Sequence, residues 1–120
     1  MFVRLILLLF TLLIGCTPNS AVKSVSREPG KGITYSGGDG GSFQEAVTIT
    51  GALNQGDGVA AEYHFISEKY GQRGTGWLLV GQTVIREKNK IVDVIEIQLG
   101  ETADRRIFYF DVSDFSWKGR

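Results

Sequence analysis

Residues 77–112 read WLLVGQTVIR, EKNK, IVDVIEIQL, GETAD, RRIFYFDV, and this stretch decides the fold. Three runs, 77–86, 91–99 and 105–112, are rich in β-branched, aliphatic and aromatic residues and are separated by polar segments at 87–90 and 100–104. Links of four and five residues between such runs join sequential strands as antiparallel neighbours, so the pattern predicts a three-stranded meander. In the last run Phe108, Phe110 and Val112 share one face, and Ile107, Tyr109 and Asp111 the other. Aromatic residues on both faces imply a strand in the middle of its sheet, or a sheet covered on both sides.

Upstream of the meander, residues 54–70 carry the helical signal. Val59, Tyr63, Ile66 and Tyr70 follow spacings of 4, 3 and 4, one face of a 3.6-residue period, with Ala60 widening the stripe and Phe65 to one side. Asp57 is the expected N-cap and Gly71 the expected residue just past the C-terminus, with Glu62, Ser67, Glu68 and Lys69 on the wetter faces. Before the helix, residues 45–51 (EAVTITG) alternate as a strand, and residues 33–35 form a short edge strand that stops at the glycine loop GGDGGS, 37–42. The order is β-β-α-β-β-β. The expectation is an α+β fold over residues 33–120, a single domain with one amphipathic helix packed on an antiparallel sheet. This architecture resembles cystatin-like and other helix-on-sheet periplasmic domains, a likeness that carries no function.

The N-terminus has a different composition. Arg4 precedes an apolar run at 5–14 broken only by Thr11. Ten residues are too few for a membrane span, which needs about 20, but they match the core of a secretory signal at 1–15. The run ends in Leu13, Ile14, Gly15 and Cys16, which resembles a bacterial lipobox. That resemblance implies cleavage before Cys16 and lipidation of its thiol. The alternative is an ordinary secretory signal with a coincident Cys, although the one cysteine of the chain stands at this position. Two or more acyl chains hold a protein stably at a bilayer. Thr17, where an Asp would signal inner-membrane retention, implies outer-membrane sorting facing the periplasm in a Gram-negative cell. Residues 16–32 are small, polar and Pro/Gly-containing, a flexible tether with a reach of roughly 20–25 Å. Loss of Arg4 leaves 12 basic against 13 acidic residues, a net charge of −1, so the lipid rather than charge would hold the membrane partner.

Composition excludes several classes of function. With 13 basic and 13 acidic residues and no basic cluster, there is no nucleic-acid footprint. One Cys excludes a disulfide framework and a multi-thiolate zinc site, and one His, His64, excludes a histidine-rich metal site. His64 sits four residues before Glu68, the spacing of a solvated helical pair or of a base with its orienting carboxylate. No G-x-S-x-G elbow surrounds any serine, and no cofactor fingerprint is present: the glycine loop has Phe43 where a dinucleotide loop needs its third glycine, and it lacks the ligand series of an EF-hand. Residues 71–76 (GQRGTG) follow a helix and precede a strand, the reverse of a phosphate loop, and read as a helix-exit turn.

The remaining candidates for ligand or partner contact are Gly38, Asp39 and Gly40 in the glycine loop, Asp111, and Trp117 near the C-terminus. The glycines suit either a tight structural turn or a close backbone approach to a ligand. Asp93 and Asp111 interrupt apolar strands, as paired acid/base carboxylates do, or as residues that fix turns do. Tyr35, Phe65, Trp77, Tyr109, Phe115 and Trp117 supply core, with any exposed members marking a contact surface.

Together Gly37-Gly38-Asp39-Gly40, Ala61-Glu62-Tyr63, Leu79-Val80-Gly81-Gln82 and Tyr109-Phe110-Asp111-Val112-Ser113-Asp114-Phe115 resemble the motif series of a small bacterial family of unassigned function. The resemblance implies no activity. The functional expectation is a membrane-anchored, non-enzymatic periplasmic binding or accessory module with an envelope protein as possible partner. The alternatives are an inhibitor of an envelope hydrolase that inserts the GGDGGS loop, and a small hydrolase using Asp93 and Asp111.

Overall fold

Residues 32–119 are described by a computed structural model; the expected signal at 1–15, Cys16 and the expected tether up to residue 31 lie outside the described residues. The elements are β1 (Thr34–Gly37), β2 (Val47–Thr50), α1 (Gln55–Tyr70), β3 (Trp77–Glu87), β4 (Lys90–Leu99) and β5 (Arg105–Asp111). This is the α+β fold, in the order the sequence pattern predicts. The strands form one five-stranded sheet in the spatial order β1-β2-β5-β4-β3.

The pairs β1–β2, β3–β4 and β4–β5 are antiparallel, but β2 pairs with β5 in parallel through Val47 with Phe110 and Thr48 with Asp111. The sheet is therefore mixed rather than wholly antiparallel. The reason is the helical crossover: α1 returns the chain so that β3 starts in the direction of β2, and two hairpins then leave β5 running that way as well. β5 is the middle strand of the five, which accounts for its aromatic residues on both faces.

One face of the sheet packs on α1. Val47, Ile49, Ile95, Ile97, Phe108 and Phe110 meet Ala61 and Ile66, with Trp77 fully buried beside them. Phe65, set aside by the spacing of the stripe, packs its ring against Tyr35, Phe108 and Phe110 at centroid distances of 5.5, 6.2 and 5.6 Å.

The helix departs from expectation in two ways. Asn54 is the N-cap, accepting the Asp57 N–H at 2.8 Å, while the Asp57 carboxylate accepts the Leu53 N–H at 3.0 Å. This reciprocal arrangement sets Asp57 inside the first turn, where a carboxylate also meets the positive end of the helix dipole. The buried positions are Gly58, Ala61, Glu62 and Ile66, a stripe rotated from the one the apolar residues define. Gly58 makes this rotation possible: a Cβ there would collide with the Phe115 ring, so the bare backbone lets that ring press on the helix. Gly71 ends the helix as expected, at φ 94°, with its N–H donated to the Ser67 carbonyl at 2.8 Å.

Candidate functional site: a carboxyl pair beneath a cleft

Alternation along β4 places Asp93 on the same face as Ile95 and Ile97, beneath the helix, where it retains 6% of its exposure. Glu62 points to it from α1, one turn before Ile66, and is fully buried. Expected on a wet face, Glu62 is instead the most deeply buried charged residue described. Its carboxyl is pushed up to about 10, first by burial, then by the adjacent Asp93 charge, and also by the hydrogen bond the two carboxyls share. Neither Glu62 oxygen, nor Asp93 Oδ1, has any other hydrogen-bond partner. Two oxygens meeting in this way need a proton between them, and Glu62 is the carboxyl that keeps it, donating to Asp93.

A polar chain leads outward from the pair. Gln82 on β3 donates its Nε2–H to Asp93 Oδ2 at 2.6 Å, and its Oε1 accepts the Tyr63 hydroxyl at 3.2 Å. The Arg73 guanidinium lies over the rings of Tyr63 and Trp77, at 4.8 and 5.9 Å from their centroids. Burial raises the Tyr63 phenol, the Arg73 charge opposes that rise, and the two carboxyls reinforce it. Among the described residues, no cationic side chain lies within ion-pair distance of Glu62 or Asp93.

Asp93 also lines a cleft of about 320 Å³ between the start of α1, the paired stretches of β3 and β4, and the segment after β5. Val59, Ile91, Val112 and Phe115 give it apolar walls, while Val84 and Arg86 stand at its exposed side. Gln55 and Ser116 face each other at one end, where Gln55 Nε2–H donates to the Ser116 carbonyl at 2.8 Å. The Ser116 hydroxyl is buried with no partner. An apolar cleft of this size with a few convergent polar groups has the make-up of a small-ligand site, at the lower end of the usual range of about 300–1,000 Å³.

Apart from Asp93, the contact residues singled out from sequence fall elsewhere. Across β4 and β5, Asp93 pairs with Phe110 and Val92 with Asp111, so Asp93 and Asp111 lie on opposite faces of the sheet. Asp111 Oδ1 accepts both the Ser113 N–H (3.0 Å) and the Ser113 hydroxyl (2.6 Å), closing the turn after β5. Of the two readings open for these aspartates, Asp111 takes the turn-fixing one; they share no cleft, and a hydrolase built on that pair has no site here.

Gly38, Asp39 and Gly40 belong to a turn stitched to its surroundings. Gly38 N–H bonds the Ala46 carbonyl (3.1 Å), the Gly40 carbonyl accepts the Tyr109 N–H (2.9 Å), and Asp39 Oδ1 accepts the Gly41 N–H (2.9 Å). Gly40 is buried at φ 88° against Phe108 and Val47, a conformation and a closeness that both favour glycine. Asp39 and Gly40, but not Gly38, line a depression of about 230 Å³ that also touches Lys69, Tyr70 and Arg106, away from the carboxyl pair. Trp117 is 76% exposed and does not line the cleft. His64 and Glu68 form an exposed pair at 3.5 Å. Residues 71–76 make the helix-exit turn, with Thr75 N–H and Gly76 N–H both bonded to the Gln72 carbonyl.

Sequence reasoning named Glu62 and Gln82 only within motifs, gave neither a site role, and missed Ser116. For Glu62 a signal existed: it follows the small residues Gly58 and Ala61 and precedes Ile66 by four, the phase of the buried stripe.

Among the described residues, no group of three or more His, Cys, Asp or Glu is placed to hold a metal ion, and no helix is long and apolar enough to cross a membrane. Compared with protein-family models, curated proteins and solved structures, the chain matches none. Fold and site define a two-layer α+β domain that keeps a proton-sharing carboxyl pair under a half-open apolar cleft.

Proposed function

We propose that this protein is a lipid-anchored bacterial envelope module, non-enzymatic, that binds a small ligand in the cleft over Asp93. The anchoring half of the proposal is supported by the sequence of residues 1–16, and the outer membrane, facing the periplasm, is its location in a Gram-negative cell. The binding half is carried by one observation: apolar walls converge on the Asp93 carboxylate and on the Ser116 hydroxyl, which is buried without a partner. A buried hydroxyl costs roughly 1–3 kcal/mol when unsatisfied, so its presence beside a cleft suits a group completed by a ligand.

Two measurements test the halves separately. Cys16→Ser should move the folded protein out of the membrane fraction; an unaltered membrane fraction would sink the anchoring. Native mass spectrometry of the full protein purified from its own envelope should show a small-molecule adduct that Val84→Trp, at the exposed side of the cleft, removes. An adduct held equally by the variant, or none in the wild type, would count against the binding module.

A further inference from the structure

We propose that the cleft takes a singly cationic ligand with an apolar body, its ammonium head seated at Asp93 and its hydrocarbon against Val59, Ile91, Val112 and Phe115. This rests on the binding reading above and specifies its ligand. The argument is one of charge and shape. Glu62 and Asp93 share one proton, so the pair carries one negative charge, and no cationic side chain among the described residues lies within ion-pair distance of it. An isolated buried carboxylate is costly, and the missing partner that would offset the cost is a positive charge. Asp93 supplies the acceptor for an ammonium, and the unpartnered Ser116 hydroxyl and Gln55 Oε1, whose Nε2 is already engaged, line the same cleft as further acceptors. Arg86 at the exposed side sets the limit on charge, because its guanidinium repels a second positive group at the outer end of the ligand. The charged and titratable groups around the pair are Glu62 and Tyr63 on the helix, Asp93 and Arg86 on the strands, and Arg73 on the connecting turn. Of these, Asp93 and Arg86 line the cleft itself.

The test uses the full chain in nanodiscs of phosphatidylcholine, with Val and Ile methyls labelled, and empty nanodiscs as a partition control. Three probes of similar size differ in head group: 2-phenylethylammonium, 2-phenylethanol and 3-phenylpropanoate, titrated to millimolar concentration at neutral pH. The expected result is shifted Val59, Ile91 and Val112 methyls, with the ammonium binding about tenfold tighter than the alcohol and the carboxylate weakest. Asp93→Asn should abolish that preference, and Glu62→Gln, which leaves the Asp93 charge in place, should keep it. Arg86→Glu changes only an exposed side chain and should tighten the ammonium severalfold, so the proposal stays testable if Asp93→Asn does not fold. Equal binding of alcohol and ammonium, or an Arg86→Glu variant with unchanged ammonium affinity, would overturn the cationic assignment while leaving the binding cleft intact. If no probe moves a cleft methyl, both the assignment and the binding reading fall.

Discussion

Replacing Glu62 by Gln should stabilise the protein at neutral pH, although it alters a fully buried residue in contact with the core. In the folded chain the Glu62 carboxyl is pushed up to about 10 from an ordinary 4.5, by burial first and by Asp93 second. Above pH 4.5 the unfolded chain releases this proton while the native chain holds it. Stability contributed by the group is therefore complete below pH 4.5 and falls as pH rises towards 10, by about 1.4 kcal/mol per pH unit. At pH 7 the accumulated loss is about 3 kcal/mol, a large share of the roughly 5–15 kcal/mol that holds an ordinary domain together. The amide introduced by Glu62→Gln keeps the length of the side chain and has an N–H to donate to Asp93, yet has no proton to lose. Urea unfolding of wild type and variant at a series of pH values from 4 to 9 reads the difference, and the titration of groups remote from the pair cancels in it. The two proteins should be nearly equal at pH 4 and diverge as pH rises, with the variant more stable by about 1–3 kcal/mol at pH 7. Measurement stops at pH 9 because the phenols of Tyr35, pushed up to about 12, and Tyr63, also raised, lower native stability above their ordinary value of 10. A stability difference independent of pH, or a variant less stable at pH 7, would refute the shared-proton description of the pair.

Two further outcomes test the surroundings of the site. Gly58→Ala removes the conformational freedom of a helical glycine, worth about 1 kcal/mol, but its Cβ meets the Phe115 ring, so a net loss of about 1–3 kcal/mol is expected in thermal unfolding; a stabilised variant would mean that Phe115 does not press on the helix. Arg73→Ala should cost about 0.5–1 kcal/mol through the lost contacts over Tyr63 and Trp77, and should move the Tyr63 phenol further up, seen as later phenolate absorbance in an alkaline titration; a phenol that ionises earlier would contradict the placement of Arg73.

The fold was legible where it depends on short-range chemistry. Polar links at 87–90 and 100–104 between β-rich runs encode the meander, and aromatic residues at both parities of 107–110 encode the central place of β5. The parallel pairing of β2 with β5 was not legible, because it is fixed by the crossover through α1, some sixty residues of chain apart, and no local pattern records it. The helical phase was misjudged for a physical reason. A count of apolar side chains favours Val59 and Tyr63, whereas the buried line runs through Gly58 and Glu62, a residue without a side chain and a charged one. Asp93 stood out as a polar interruption of an apolar strand, but its partner was sought on a neighbouring strand. Residues 93 and 111 differ by one step in register, so their side chains point to opposite faces, and the true partner comes from the helix above.

The position of Asp93 bears on why a chain of this size would keep such a pair. Alternation from Ile97 through Ile95 leads directly to residue 93, a site where a third aliphatic residue would continue the strip facing the helix. Exchanging a buried ionic or proton-sharing pair for well-packed apolar residues is often neutral or stabilising, by about 1–4 kcal/mol. A domain of under a hundred described residues has little stability to spare. Folding alone therefore gives no reason for Asp93 and Glu62 together. Nor is the pair sealed in the core: Asp93 is the member that lines the cleft, Gln82 fixes its Oδ2, and the buried Ser116 hydroxyl in the lining of the same cleft lacks a partner. Local rules are broken at one place, and that place opens to solvent beside apolar walls, the pattern expected where stability has been given up for a binding site. Replacing both carboxyls at once, Glu62→Leu with Asp93→Leu, separates the explanations: a more stable protein that has lost its ligand places the pair in function, and a destabilised one returns it to the architecture.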